Sequence, residues 1–481
     1  MSTLKSRVDV AVRYVSTRGK APELGFEDVL LTGLARDGGL YLPERWPLFP
    51  QSEIARMVGR PYEAVALQVI RPFVGGEVSD DELALIIAEA YATFRHRTVA
   101  PLVQVGPSDW ILELFHGPTL AFKDVAMQVL ARLMDRTLLR RGERATIVGA
   151  TSGDTGGAAI EAFRGRRSID IFILYPHGRV SDVQRRQMTT APEANVWALA
   201  VDGTFDDCQS LVKALFNDLA LRDRLQLAGV NSINWARLVS QIVYYFTSAV
   251  ALGGPERSVS FTVPTGNFGD IFAGFAAVSM GLPIDRLVVA TNVNDILVRT
   301  LETGLYEPRG VVATQSPSMD IQISSNFERL LFELSDRSPE RLNEQMTALR
   351  DDGRFTLEPD ELALMRQFFD AERVSEADTL AEIRRLEADT GYLADPHTAV
   401  GTAAARRVAR EPGVPMITLA TAHPAKFPDA IHRAVGRLPA VPESVARQAA
   451  LPERINRVPG DVAGIAAFIE ARVGARRTTP S

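Results

Sequence analysis

From about residue 96 onward the chain repeats one unit: a short apolar run, a loop rich in glycine or hydroxyl side chains, then a stretch of helical periodicity. Ala145 to Gly149 runs into such a loop, and Ile169 to Tyr175 ends at Pro176. Val196 to Val201 is followed by Gly203 and a helical pattern from Asp206. Ser258 to Val263, Leu287 to Ala290 and Met416 to Ala420 behave alike. Strand, loop and helix in repetition predict an α/β fold with a mostly parallel sheet covered on both faces. Ligands of such sheets lie beyond the carboxyl ends of the strands. The loops after the strands are therefore where chemistry is expected.

At 481 residues the chain is too long for one simple core, and two or three domains are expected. Residues 1 to 95 read as a separate region, with strand-like pieces at Val8 to Val15 and Gly39 to Leu42 and a clear helix over Asp80 to Phe94. Residues 335 to 390 are charge-rich with a helical period and read as a solvated helical insertion. The polar tail from Arg476 to Ser481 reads as frayed. Leu238 to Pro255 lacks charge but contains Ser240, Gln241, Thr247 and Ser248, which suits a buried helix better than a membrane span. No apolar signal core follows the N-terminal charges, so a cytoplasmic location is expected. A net charge of -6 argues against a general nucleic-acid binder. The one cysteine, Cys208, permits neither an intrachain disulfide nor a Cys-based zinc site, and no metal is expected. It reads as structural rather than as a catalytic thiol.

Three loops carry candidate chemistry. In His116-Gly117-Pro118-Thr119-Leu120-Ala121-Phe122-Lys123-Asp124 a Gly-Pro turn leads into a helix that Thr119 is expected to cap. Lys123 then falls in the first helical turn, where a cation is disfavoured and its pKa should drop, as a Schiff-base lysine requires. The alternative is a surface lysine on an amphipathic helix. The second loop, Thr151-Ser152-Gly153-Asp154-Thr155-Gly156-Gly157, opens a helix whose N–H groups could hold an anion such as a carboxylate. It could equally be an ordinary capped turn. The third, Gly266-Asn267-Phe268-Gly269-Asp270, places glycines where a backbone could approach a phosphate closely. Asp270 would repel that phosphate unless it points away. Weaker candidates are Ser232, Asn234 and Arg237, where the guanidinium could fork onto a phosphate or pair with an acid. Thr421 to Lys426 follows a buried strand, and His423 and His397 read as structural.

Taken together, these motifs resemble the threonine synthases of the longer type found in many bacteria and in yeast. The resemblance covers nearly the whole chain. It includes Ser16 to Gly19, Asp37 to Tyr41, the Lys123 block, Thr151 to Gly156, Ser232 to Arg237, Gly266 to Asp270, Thr291 to Asp295, Asp395 to Gly401 and Thr421 to Phe427. One departure is the Val125 to Met127 segment, where a bulkier aromatic start is expected. The resemblance implies a pyridoxal-phosphate (PLP) enzyme of fold type II, tryptophan-synthase β-like. Such a fold has two open, mostly parallel sheets with helices on both faces and an added N-terminal α+β domain. It implies domains at 1–95, 96–430 (with a smaller subdomain at about 124–205) and 431–481.

The activity implied is conversion of O-phospho-L-homoserine and water to L-threonine and phosphate, by a monomer or homodimer with no nucleic-acid or membrane partner. By matching positions, Lys123 would carry PLP and serve as the base for its proton transfers. Gly266, Asn267, Phe268 and Asp270 would form the cofactor's phosphate loop, and Thr421 would face the pyridine nitrogen. Thr119, Thr151, Ser152, Asp154 and Thr155 would surround the substrate, with an Asn standing at the Asp154 position in related enzymes. Ser232, Asn234, Arg237 and Lys426 would form the pocket for the departing phosphate. Competing readings are a phospholyase giving 2-oxobutyrate and ammonia, a serine/threonine dehydratase or cysteine synthase, and a non-catalytic PLP-binding scaffold.

Overall fold

The computed structural model describes residues 12–478. Two sheets organise the chain. The larger has six strands in the spatial order Phe369–Arg373, Ile284–Thr291, Val259–Pro264, Met416–Ala420, Asp109–Glu113 and Leu102–Gln104. All its neighbours are parallel except the outermost pair, where Leu102–Gln104 runs antiparallel to Asp109–Glu113. The smaller sheet is parallel throughout, with five strands in the order Asn456–Val458, Val196–Val201, Ile169–Pro176, Ala145–Ala150 and Leu227–Ala228. Every residue of Ile169–Pro176 and of Val259–Pro264 is buried, as expected for strands covered on both faces.

The helix over Trp235–Ala251 is buried along nearly its whole length, which is why an uncharged run of that length stays in a folded core. The N-terminal helix Tyr62–Val74 packs against it, and its neighbour Asp80–Tyr91 packs against the helix Lys123–Arg141. Around Trp235 stand the rings of Tyr14, Trp46 and Phe73, with centroids 5.8 to 6.1 Å away. Truncating an aromatic buried this way costs roughly 3–5 kcal/mol. Asp80–Tyr91 starts at a capping box between Ser79 and Glu82 and ends three residues short of Phe94. The N-terminal strand is Tyr14–Ser16, paired antiparallel with Tyr41–Pro43; the Val8 to Ala11 part of its expected span lies outside the described residues.

Two expectations are corrected. The 335–390 segment is not a purely helical insertion. It contains Phe369–Arg373, the edge strand of the larger sheet, paired in parallel with Leu287 to Thr291, and a short strand Phe355–Thr356. Asp370, Glu372 and Arg373 gave that stretch the look of a solvated helix, but an edge strand tolerates charge because one side of it stays open to water. Part of the expected frayed tail is helical backbone. Helix Val462–Thr478 includes Arg476, so only residues 479–481 of the expected frayed tail lie outside the described residues. Its Ile465, Ile469 and Val473 pack with Cys208, Leu211 and Leu215 over the smaller sheet. Cys208 is accordingly buried, and burial pushes its thiol up to about 11, which makes it unreactive.

Candidate active site

Lys123 opens its helix beside the carboxyl end of the Met416–Ala420 strand. A single antiparallel bridge between Ala121 and Ala422 fixes this placement. The Phe122 N–H donates to the Thr421 carbonyl at 2.8 Å and the His423 N–H to the Leu120 carbonyl at 3.0 Å. The expected cap is corrected. Thr119 does not cap the helix; its hydroxyl and its N–H both donate to the Asp124 carboxylate, at 2.7 and 2.8 Å. Gly117 makes room for this, since a Cβ there would stand 2.4 Å from Asp124 Cβ. Lys123 is 8% exposed, with Nζ 4.6 Å from the Phe122 ring centroid. Its pKa falls to about 8, chiefly through burial. The charges of Lys426 and Arg237 push the same way, against Asp154 and Asp270. Burial among cations thus does the work first ascribed to the helix end.

The second loop faces Lys123. Thr151 Oγ1 accepts from the N–H groups of Gly153 and Gly156, each at 2.9 Å, so this hydroxyl shapes the loop itself. Ser152 and Thr155 are half-buried at the start of helix Asp154–Phe163. Asp154 lies between two lysines. Its Oδ1 is 2.7 Å from Lys426 Nζ and accepts from Gln184 Nε2 at 2.9 Å; its Oδ2 is 3.7 Å from Lys123 Nζ. Burial raises its pKa, but the two ammonium groups outweigh that and hold the carboxyl well below its usual range. Lys426 is completely buried and also donates to the Thr119 carbonyl at 2.9 Å.

The third loop joins Val259–Pro264 to helix Gly269–Ser279 through Phe268, whose φ is 61°. A Cβ on Gly266 would stand 2.5 Å from the Ser318 carbonyl, so only glycine fits there. The Gly266 and Asn267 carbonyls are held by Ser324 and Asn326. Asn267 itself is exposed. Asp270 does turn aside: its carboxylate receives the Tyr244 hydroxyl, and its backbone carbonyl accepts from Tyr245 at 2.9 Å. Burial pushes Asp270 up to about 7, against those hydroxyls and against Lys123 and Arg237.

The remaining candidates divide. Arg237 is 4% exposed and donates only a long bond, 3.4 Å, to the Val230 carbonyl, leaving a buried Nε without a partner. Burial lowers it to about 10. The Ser232 hydroxyl is 3.4 Å from that of Ser325, which donates to Asn267. Thr421 is buried beside Lys123, its carbonyl accepting the Phe122 N–H. Asn234 belongs to the fold instead. Its Oδ1 caps helix Trp235–Ala251, its Nδ2 donates to the Leu30 and Gly229 carbonyls, and none of it is exposed. His397 accepts from the Ser318 N–H and is held by Asp395, and His423 caps a short turn.

Residues 13–91 match the family described as Threonine synthase N terminus, residues 97–417 that of Pyridoxal-phosphate dependent enzyme, and residues 398–469 that of Threonine synthase, C-terminal. The threonine synthase of Pseudomonas aeruginosa is 52% identical over 459 residues, covering 95% of this chain and 98% of its own. The chain belongs to the threonine synthase family. A crystal structure of PLP-bound threonine synthase from Brucella melitensis superposes with a TM-score of 0.94 at 56% identity, covering 96% of this chain and 100% of that one. The yeast threonine synthase gives 0.92 at 40%, covering 96% and 99%.

With the threonine synthase fold in place, several functional neighbours stand out that sequence reading passed over. Gln184 and Gln187 reach Asp154 and the Thr119 carbonyl. Gln184 sits in a Ser181 capping box, the one local signal that could have drawn attention to it. Tyr244 and Tyr245 looked like core residues. Arg329, fully buried, joins the Tyr41 and Ile233 carbonyls and Asn326, tying the N-terminal ribbon to the brace of the Gly266 loop. The residues fit PLP: Gly266 admits no side chain, Lys123 is buried with a lowered pKa, and Arg237 presents an orphaned N–H. Among the described residues, no cluster of His, Cys, Asp or Glu suits a metal ion, and no helix is long and apolar enough to cross a membrane.

Proposed function

We propose that this member of the threonine synthase family converts O-phospho-L-homoserine and water to L-threonine and phosphate, with PLP carried on Lys123. The observation that supports this most is the convergence on Lys123. A buried lysine of lowered pKa is flanked by Asp154, Arg237 and Asp270, with the Thr421 segment bonded to its helix start. PLP, when bound, supplies the electron sink for carbanions next to the substrate nitrogen. The chain's own residues do the rest. Lys123, freed by the substrate amine, takes and returns protons along the substrate carbon chain; at a pKa of about 8 an appreciable fraction is neutral near pH 7–8. Gly266, Asn267 and Phe268 hold the cofactor phosphate at a helix start. Thr421 offers its hydroxyl to the pyridine nitrogen. Thr151, by shaping its loop, and Ser152 and Thr155 with the helix N–H groups receive the substrate carboxylate.

Arg237 and Ser232 hold the departing phosphate. Asn234 supports them as a cap rather than as a ligand. The division of labour we propose follows the chain, with an N-terminal region to residue 95, a catalytic core over 96–430 and a C-terminal extension from 431. The enzyme works in the cytoplasm as a monomer or homodimer. The test is direct. Purified protein supplied with PLP and phosphohomoserine should release threonine and phosphate in equal amounts. Formation of 2-oxobutyrate and ammonia instead would make it a phospholyase. Lys123→Ala should lose the visible absorbance of bound cofactor together with turnover. Arg237→Ala should raise KM for phosphohomoserine by about 10-fold or more, the worth of a charge-assisted hydrogen bond, while PLP stays bound.

A further inference from the structure

Lys426 is a second buried lysine at this site, and its surroundings differ from those of a phosphate ligand. It is completely buried, whereas Arg237 and Lys123 keep a few per cent of their surface. Two of its three N–H bonds are committed, one to the Thr119 carbonyl at 2.9 Å and one to Asp154 Oδ1 at 2.7 Å. The same Oδ1 takes Gln184 Nε2 at 2.9 Å, so the Asp154 carboxylate is gripped on one oxygen from two sides. Its other oxygen, Oδ2, points to Lys123 Nζ at 3.7 Å. Thr119, whose carbonyl anchors Lys426, is itself fixed by Asp124 and by Gln187. The arrangement is a chain of fixed groups that ends on the Lys123 nitrogen.

We propose that Lys426 is a positioning residue: it fixes and partly neutralises the Asp154 carboxylate and, through it, sets how readily the Lys123 nitrogen gives up its proton. An unshared carboxylate beside Lys123 would hold that proton tightly, and a lysine that keeps its proton is a poor base. Sharing the charge with Lys426 weakens the hold without removing the carboxylate that aims the nitrogen. The charged groups facing Lys123 are Asp154, Lys426, Arg237 and Asp270, and those facing Asp154 are Lys426 and Lys123. A charge change at either end of the pair therefore has a predictable sign at the nitrogen: removing the Lys426 cation favours the protonated form, and removing the Asp154 anion disfavours it. Gln184, neutral and on the same oxygen, adds geometry without charge.

This inference rests on Lys123 being the cofactor lysine, and the experiment separates the two. The holoenzyme, Lys426→Met and Asp154→Asn are titrated with pH, following the visible absorption band of the bound cofactor, and KM and kcat for phosphohomoserine are measured alongside. The midpoint is expected to rise by about one pH unit in Lys426→Met and to fall by about one unit in Asp154→Asn, the scale of one nearby charge. The acid limb of kcat/KM should move up with the first, while KM changes by less than about 3-fold, well short of a lost phosphate contact. An unmoved midpoint with KM raised about 10-fold or more would make Lys426 a phosphate ligand and overturn the proposal. Midpoints that move in the same direction in both variants would also overturn it. If either single variant fails to fold, the double variant Lys426→Met with Asp154→Asn leaves no half of the pair buried alone. Its midpoint should lie between the values expected of the two singles. If the unmodified protein shows no visible band with PLP, the proposed function itself fails.

Discussion

Asp154 and Asp270 occupy matching places. Each follows a glycine, each opens a helix after a buried parallel strand, and each is nearly out of reach of water. Their pKa values are pushed in opposite directions. Asp154 is surrounded by Lys426, Lys123 and Gln184, and its carboxyl is held ionised although burial opposes this. Asp270 meets the hydroxyls of Tyr244 and Tyr245, and burial prevails over them, lifting it to about 7 with Oδ2 left unpartnered. A hydroxyl supplies a dipole, whereas the Lys426 ammonium in direct contact supplies a full charge and offsets desolvation of Asp154; the charges of Lys123 and Arg237 also favour an ionised Asp270, but burial outweighs them there. The difference suits the two loops. The loop beside Lys123 needs an anion, and the loop expected to hold the cofactor's phosphate does not.

The largest effect is expected from Asp154→Asn, which leaves Lys123 and Lys426 buried without their counter-ion; urea unfolding at pH 7 should show a loss of about 3–5 kcal/mol. A loss under about 1 kcal/mol would mean the lysines do not depend on this carboxylate. Next is Gly266→Ala. Its Cβ would meet the Ser318 carbonyl, and PLP affinity should fall by about 10–100-fold, the range for overpacking a rigid site. Thr151→Val removes the acceptor for two loop N–H groups, at an expected cost of about 1–3 kcal/mol. It should raise KM more than it weakens PLP binding, since the Thr151 loop is assigned to the substrate.

The smallest change in stability is expected from Asp270→Asn, within about 1 kcal/mol near pH 7, because a neutral amide replaces a carboxyl that is already half protonated there. Its signature is in the pH dependence. The folded pKa of Asp270 lies above its unfolded value near 4, so the folded chain binds more protons between about pH 4 and 7. Stability from this group is full below pH 4 and is lost as pH rises through 7; Asp270→Asn should flatten that slope in the cofactor-free protein. Asp154 has the opposite sign. Its folded pKa is depressed, so its contribution is present above about pH 4 and is lost only as pH falls further. Equal slopes in the two Asn variants between pH 4 and 7 would dissolve the distinction.

Much of this molecule was legible locally. Ile169 to Tyr175 and Met416 to Ala420 are apolar without alternation, and strands buried on both faces need nothing more to be recognised. Lys123 could be placed at a helix start from its Gly-Pro turn and the spacing that follows. Phe369–Arg373 was not read as a strand, because its five residues carry three charges within a charge-rich helical stretch, and only pairing with Leu287 to Thr291 makes it an edge. Asn234 looked like a ligand because it lies among polar residues; its bond to Leu30, more than 200 positions earlier, makes it a brace.

Local order along the chain set the period of each element, the glycines that let the backbone turn and the lysine that begins the helix after the first of the three loops. Turn chemistry and hydrophobic period are properties of neighbouring residues, so they are written where they act. The tertiary structure alone decided which acid is charged. Asp154 and Asp270 each follow a glycine at a helix start, and what separates them is Lys426 in one case and a pair of tyrosines in the other. Ionisation depends on burial and on charges brought from distant parts of the chain, and those are known only once the chain is folded.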